Sequence, residues 1–384
     1  MILTPAGIRE SPGGVTLAFE VRREQPDTEP FELQFEVPAP HADFLSTGIE
    51  PALIAALFPA MATGETIRTA HPVSSRLAYG LKQIMDYFQL WFPDKLQTVP
   101  IEAPRHQDSP ATGSRTTGMF FSGGVDSFYT LARHQADVES DPCLRPRYGV
   151  FVFGFDLTEG RLNEYIQLAD RYEKVLQAQG MSLVRVRTNL RAMLDPAHPW
   201  LYTHGMGLAS VAHALDRGFR TLLIPSTNRF SLYMPPNGSN PITDPWASSE
   251  SLELLHHGCE ASRINKVRAI AAWPPVREHL RVCWQETHGV LNCGACPKCL
   301  KTQLILWTLG ALDHFPAFPP GFSLDQITPA LIRPLNPGAY PHEQTFAEEW
   351  QALVTTLRPE AMARVNQLVP RTGRLSRWVK QFKR

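Results

Sequence analysis

Apolar and polar residues alternate near the start of the chain: Val15, Leu17, Phe19 and Val21 fall on one side, and Phe31, Leu33, Phe35 and Val37 repeat the pattern after a polar turn. A period of two is that of a half-buried antiparallel pair, so a small β-containing region is expected first. From Ser74 the spacing changes to three and four, with Leu77, Leu81, Ile84, Met85, Phe88 and Trp91 on one stripe. This predicts an amphipathic helix ended by Phe92-Pro93, and core packing accounts for its aromatic stripe better than a ligand box. Gln107 to Thr117 is polar and reads as a linker or domain edge. Beyond it, short apolar runs alternate with helical periods. Gly118 to Phe121, Tyr148 to Phe153, Leu183 to Val186 and Thr221 to Ile224 read as strands. Phe128, Leu131 and Ala132 begin one helix, Leu162 to Leu176 mark a long one closed by Gly180, and Met206 to Leu215 form another ended by Gly218. Such alternation builds right-handed crossovers and a parallel sheet.

The expected fold class is therefore α/β, with a doubly wound, largely parallel sheet over 113–282. A small N-terminal α+β domain over 1–112 precedes it. A four-cysteine metal knuckle with a helix over 283–315 follows, then a C-terminal helical extension over 316–384. Within the last two, Leu300 to Leu312 reads as an apolar helix, Phe315 to Pro320 breaks it, and Ala347 to Leu357 forms another. A chain of 384 residues has room for several such parts. Lys+Arg and Asp+Glu are equal at 37 each, so no global charge points to nucleic acid. Arg371, Arg374, Arg377, Lys380, Lys383 and Arg384 make a basic end, read as a solvated tail in preference to an RNA or acidic-lipid contact. No signal-peptide pattern opens the chain and no run of about eighteen apolar residues occurs, so a cytoplasmic protein without a membrane span is expected.

A strand running into Ser122-Gly123-Gly124-Val125-Asp126-Ser127 and then a helix is suited to anions. The glycines let the backbone approach, and amides at a helix start point at phosphate. No lysine stands where a γ-phosphate-transferring loop would place one. Ser122 and Ser127 add hydroxyl donors, and Asp126 can cap the helix or help hold Mg²⁺.

Phe120-Phe121-Ser122-Gly123-Gly124-Val125-Asp126-Ser127 resembles the signature of the PP-loop ATP pyrophosphatases. That group, with a HUP-type Rossmann-like fold, includes 7-cyano-7-deazaguanine synthase, GMP synthetase, NAD synthetase, asparagine synthetase and tRNA thiolation enzymes. The resemblance implies ATP and Mg²⁺ as cofactors, with the nucleotide across the carboxyl ends of the strands. Gly154, Phe155, Asp156 and Thr188 would then border adenine and ribose. Ser262-Arg263-Ile264-Asn265-Lys266 is similar to the segment that carries a phosphate-facing lysine in the synthetases, which makes Lys266 a catalytic candidate beside Asp126; the alternative is a solvent-exposed helical lysine.

Cys283-x9-Cys293-x2-Cys296-x2-Cys299 offers four thiolates within one short segment, and its spacing admits either a zinc ion or an iron–sulfur cluster. It is similar to the zinc site downstream of the catalytic domain in 7-cyano-7-deazaguanine synthase, which implies a structural Zn²⁺. Cys143 and Cys259 read as ordinary thiols.

After the fourth strand, Ser226-Thr227-Asn228-Arg229-Phe230 opens a long polar loop reaching about Ser251. Loops at that edge of an open α/β sheet usually bind ligands. Thr227, Asn228, Arg229 and Asp244 can fix a polar substrate, and Phe230, Tyr233 and Trp246 can stack on a planar one or anchor a lid. His204 with Gly205, His256 and His257 are candidate acid–base or binding groups, weighed against structural roles. The deazaguanine synthase motif Tyr-Pro-Asp-Cys is missing between Asn228 and Cys283, and the resemblance spans Gly118 to Cys299 alone, so the substrate does not carry over.

The expected reaction is adenylation. ATP activates a carboxylate or carbonyl oxygen, pyrophosphate leaves, and a nitrogen nucleophile displaces AMP; the acceptor is a small-molecule carboxylate or a modified nucleobase. Two alternatives stand beside it: sulfur transfer to a tRNA base or heterocycle, and a regulatory module that binds ATP without turnover. A homodimer is compatible with this reading, and nucleic acid is a secondary partner.

Overall fold

The computed structural model describes residues 1–24, 29–106, 115–230, 235–286, 289–332 and 341–368. The chain divides into two compact units, one of Met1–Phe230 with Pro236–Cys259, the other built on residues from Glu260 onward. The basic residues from Arg371 to Arg384, and Tyr233, lie outside the described residues.

The first unit is built on one sheet. Its strands are β1 (Ile2–Ser11), β2 (Gly14–Arg22), β3 (Phe31–Val37), β4 (Ile67–Arg68), β6 (Ile101–Glu102), β8 (Thr116–Phe120), β9 (Tyr148–Phe153), β10 (Ser182–Thr188), β11 (Phe219–Pro225) and β12 (Glu253–His257), while β5 (Val73–Ser74) and β7 (Arg105–His106) pair separately. The alternating residues expected as a hairpin pair do so, Leu17 opposite Phe35 and Phe19 opposite Leu33. They do not form an isolated sheet. β3 runs antiparallel to β10 through Glu36↔Arg187 and Phe35↔Thr188. Asn189 then lengthens this junction with its side chain, donating to the Glu32 carbonyl at 2.8 Å and accepting from the Gln34 amide at 2.9 Å. The boundary expected at residue 112 therefore falls inside one compact unit.

From β8 onward every ladder between consecutive neighbours is parallel, and the spatial order is β10-β9-β8-β11-β12. Numbered from β8, this is 3-2-1-4-5, so the order reverses between β8 and β11. Open α/β sheets bind ligands at such a reversal, beyond the carboxyl ends of the strands. Helices cover both faces. Phe120, Val150, Val152, Val184, Val186, Leu222 and Ile224 pack into one core with α1 (Glu50–Thr63), α2 (Ser75–Trp91), α5 (Arg191–Leu194) and α6 (Trp200–Ala214). On the opposite face Phe121 meets Phe128 of α3 (Val125–Arg133), and Phe151 meets Tyr165 and Tyr172 of α4 (Leu162–Gln177).

Helix starts and stops follow local chemistry. Ser74 caps α2 by accepting from the Leu77 amide at 2.9 Å, a bond worth about 1 kcal/mol. Helix α1 has no polar stripe, and residues 50–61 are all buried. It ends at Gly64, left-handed with φ +76°. A short α7 (Thr243–Trp246) lies in the loop after β11.

The second unit contains α8 (Arg263–Ile270), α9 (Pro274–His279), α10 (Pro297–Thr308), α11 (Pro329–Ile332), α12 (Pro341–Leu357) and α13 (Met362–Leu368). Trp350 of α12 is fully buried and donates its indole N–H to Thr308 Oγ1 at 3.1 Å. Among the described residues, no helix is long and apolar enough to cross a membrane.

Candidate functional site

Strand β8 delivers the glycine loop to the reversal point of the sheet, and α3 begins directly after it. Gly123 has φ +70°, and a Cβ there would lie 2.2 Å from the Tyr172 ring. Only glycine fits, on both backbone and steric grounds. Gly124 is the N-cap of α3 in an extended conformation, with no side-chain hydrogen bond closing the helix start. The N-cap thus supplies no side chain to the first amides of that helix, the condition in which a helix start accepts an anion. Val125 is buried and offers the loop its backbone. Ser127 is buried too, and its hydroxyl donates to the Gly124 carbonyl at 3.0 Å, whereas Ser122 is exposed. Of the two hydroxyls expected as donors, Ser122 is the one that faces solvent. Asp126 sits half-buried in the first turn.

The residues expected around a nucleotide come from the ends of the neighbouring strands. Gly154 has φ +102°, and a Cβ on it would lie 2.0 Å from the Thr188 carbonyl oxygen, so the ends of β9 and β10 are in direct contact. Phe155 packs on Trp200 with ring centroids 4.9 Å apart, and its carbonyl accepts from Arg191 at 2.9 Å. It forms wall, while Asp156 beside it is exposed.

The described residues of the loop after β11 make several hydrogen bonds within the loop and to the body of the first unit. Thr227 and Arg229 are exposed at its start, Asn228 is half-buried, and Phe230 is 51% exposed. Further on, Asp244 is 1% exposed; its carboxylate accepts from Ser239 Oγ at 2.6 Å, His256 Nδ1 at 2.8 Å and the Asn240 amide at 3.3 Å. Asp244 is a buried anchor of this strap, not one of its exposed polar groups. The Gly238 amide donates to the Leu201 carbonyl at 3.0 Å, and Gly205 lacks the Cβ that would strike the Gly238 oxygen. Trp246 packs edge-on against Tyr79 of α2. His257 turns to the other face, where Thr130 Oγ1 lies 3.0 Å from its Nδ1.

In the second unit, Lys266 on α8 is fully buried, which removes the reading of a solvent-exposed helical lysine.

The four cysteines Cys283, Cys293, Cys296 and Cys299 converge, with all sulfurs within 4.8 Å of one another. Cys283 and Cys296 are 3.8 Å apart, Cys293 and Cys299 3.9 Å. A tetrahedral ion with metal–sulfur bonds of about 2.3 Å holds its sulfurs about 3.8 Å apart. An iron–sulfur cluster distributes its thiolates over several irons and spreads them further. These cysteines can hold a single metal ion such as zinc. Burial opposes the Cys293 thiolate, but the amides of Ala295 and Cys296 and the neighbouring thiols outweigh it, bringing its pKa to about 7. The site has a rigid surround that spacing did not reveal. Asn292, fully buried, accepts from the Val282 and Cys283 amides at 2.8 and 3.2 Å and donates to the Leu280 and Ala317 carbonyls at 2.8 and 2.9 Å. Gln303 donates to the Gly294 carbonyl at 2.7 Å. The adjacency of Asn292 to Cys293 was the available signal.

No family model matches the chain, and comparison with curated proteins and with solved structures gave no match.

Proposed function

We propose that this chain is an ATP-dependent adenylating enzyme of the PP-loop pyrophosphatase kind. It would convert ATP to AMP and pyrophosphate while activating a carboxylate or carbonyl oxygen for a nitrogen nucleophile. One observation carries the reading: Ser122-Gly123-Gly124-Val125-Asp126-Ser127 occupies the turn between β8 and α3, where a parallel sheet of order 3-2-1-4-5 reverses.

In that setting the loop's amides and the Ser122 hydroxyl hold the pyrophosphate, and charge growing on the leaving group meets donors already oriented toward it. Mg²⁺ fits the donor set, because it binds through one or two carboxylates together with substrate phosphates, and Asp126 supplies a carboxylate at the loop. When bound it neutralises phosphate charge. The ends of β9 and β10, with Gly154, Phe155, Asp156 and Thr188, border the nucleoside. Thr227, Asn228 and Arg229 receive the acceptor, a small carboxylate or a modified nucleobase. The cysteine site is structural zinc: its sulfurs converge on one point and three of its four residues are buried, which does not favour a thiol-transfer role.

The test is exchange of radiolabelled pyrophosphate into ATP, with and without a cell metabolite extract, in the native protein and Asp126→Ala. Extract-dependent exchange that the substitution abolishes is expected. ATP binding with no exchange under any condition would instead point to a regulatory nucleotide-binding module.

A further inference from the structure

Adenylation has a second half: the incoming nitrogen must lose a proton as it displaces AMP. The polar side chains of the glycine loop are two hydroxyls and one carboxylate, Asp126, which the reading above gives to Mg²⁺. The carboxyl end of the sheet, however, carries a histidine held in a base-competent form. His204 is the fifth residue of α6, a crossover helix whose start lies at the same end of the sheet as the loop. Its Nδ1 lies 3.0 Å from the Leu201 carbonyl oxygen and 3.2 Å from that of Trp200. A carbonyl can only accept, so Nδ1 carries the proton and the lone pair is on Nε2. The residue is half-buried.

The surroundings suit a base. The strap crosses directly above: a Cβ on Gly238 would lie 2.6 Å from His204 Nδ1. Burial lowers the imidazole pKa below its ordinary value, keeping the ring neutral at pH 7, while Asp244 on the strap and Asp156 after β9 oppose that shift and stabilise the cation once formed. Asp244 is itself bonded to His256 of β12, and the cation packed nearby, Arg191, lies over the Trp200 ring at 5.0 Å. Three chain segments thus bring two carboxylates and one oriented imidazole together at the carboxyl end of the sheet.

We propose that His204 is the general base of the second half-reaction, which makes the nucleophile a neutral amine or ammonia that must shed an N–H proton as it attacks. The inference rests on the adenylation reading above. The amine nitrogen bonds to the activated carbon, the carbon–oxygen bond to AMP breaks with its electron pair leaving on the phosphate oxygen, and the N–H proton passes to His204 Nε2 and then to solvent.

The experiment compares His204→Asn and His204→Ala with the native protein, using ammonium chloride as donor and metabolite extract as acceptor source. Pyrophosphate exchange and AMP release are measured separately. Asparagine retains a donor for the Leu201 carbonyl but has no base, and thermal melting confirms that each variant is folded. AMP release is expected to fall about a hundredfold further than exchange, the usual yield of a general base. The native acid limb of AMP release, with its inflection below the ordinary histidine value of about 6.5, is expected to vanish in both variants. Equal losses in both assays, or no loss, would overturn the role of His204 while leaving adenylation standing. Absence of exchange in the native protein would remove both. Independently of turnover, ring-nitrogen NMR should find the neutral proton on Nδ1; a proton on Nε2 overturns the proposal.

Discussion

The two units solve the problem of holding a site still in opposite ways. In the first, the glycine loop turns on two residues without side chains, Gly123 and Gly124, and is fixed from below. Gly123, at φ +70°, lies against Tyr172, which with Phe128 packs on Phe121 at the end of β8. In the second, no strand occurs among the described residues around the cysteine site. Four thiols and the side chains of Asn292 and Gln303 tie a short loop to its surroundings. A site built from backbone inherits its rigidity from a large core, whereas a site built from side chains needs its ion and local hydrogen bonds.

The largest effect should come from the metal. Cys299→Ser, or a strong chelator, is expected to remove bound zinc and unfold the knuckle, because structural zinc supplies about 10 kcal/mol or more to the domains it closes. Zinc content by elemental analysis and hydrogen exchange of 283–308 check this; exchange in β8–β11 should stay slow. If the sheet melts together with the knuckle, the two units do not have separate sources of stability. Asn292→Ala sharpens the point: it should weaken zinc binding about 10–100-fold with every thiol present.

A smaller effect is expected at the loop. Gly123→Ala forces a Cβ into the Tyr172 ring at a left-handed backbone position, costing about 1–3 kcal/mol. Denaturant titration should show that loss together with weakened ATP binding, while zinc content remains unchanged. Unchanged ATP affinity would mean that the loop does not contact phosphate.

A third effect, of similar size but seen only as a pH dependence, is electrostatic and confined to the first unit. Burial raises the pKa of Asp216, just beyond α6, to about 6. The folded state then holds this proton more tightly than the unfolded chain. The stability Asp216 contributes is present below the ordinary carboxylate value and declines as pH rises through about 6. Asp216→Asn should remove that decline, a difference of about 2–3 kcal/mol between pH 4 and 7, seen by comparing unfolding free energies. Burial lowers the pKa of His213 and has the opposite dependence, so only the difference between the two proteins isolates Asp216. An identical pH dependence in both would refute the assignment.

Much of this was legible in the sequence. The antiparallel pair at 15–37, the four strands from residue 118 and the helix from Leu162 announce themselves by period, because each has one buried and one wet face, or is a short run between turn residues. The glycine loop and the cysteine spacing are local, and local chemistry is readable. Helix α1 was not, since a helix buried on all sides has no stripe to detect. Neither was β12, which ends in two histidines that face opposite ways.

The amino-acid sequence by itself determined the α/β class, the loop that suits phosphate and the four thiols that suit a metal, because each depends on neighbours a few positions apart. Only the tertiary structure decided that the N-terminal strands join the same sheet through β3 and β10, that Asp244 is buried and that Lys266 is too. It also decided that Asn292 clamps the knuckle and that His204 shares the loop's end of the sheet. These depend on contacts between residues far apart in the chain, whose partners are chosen by packing and hydrogen bonding in the folded state and leave no period in the sequence.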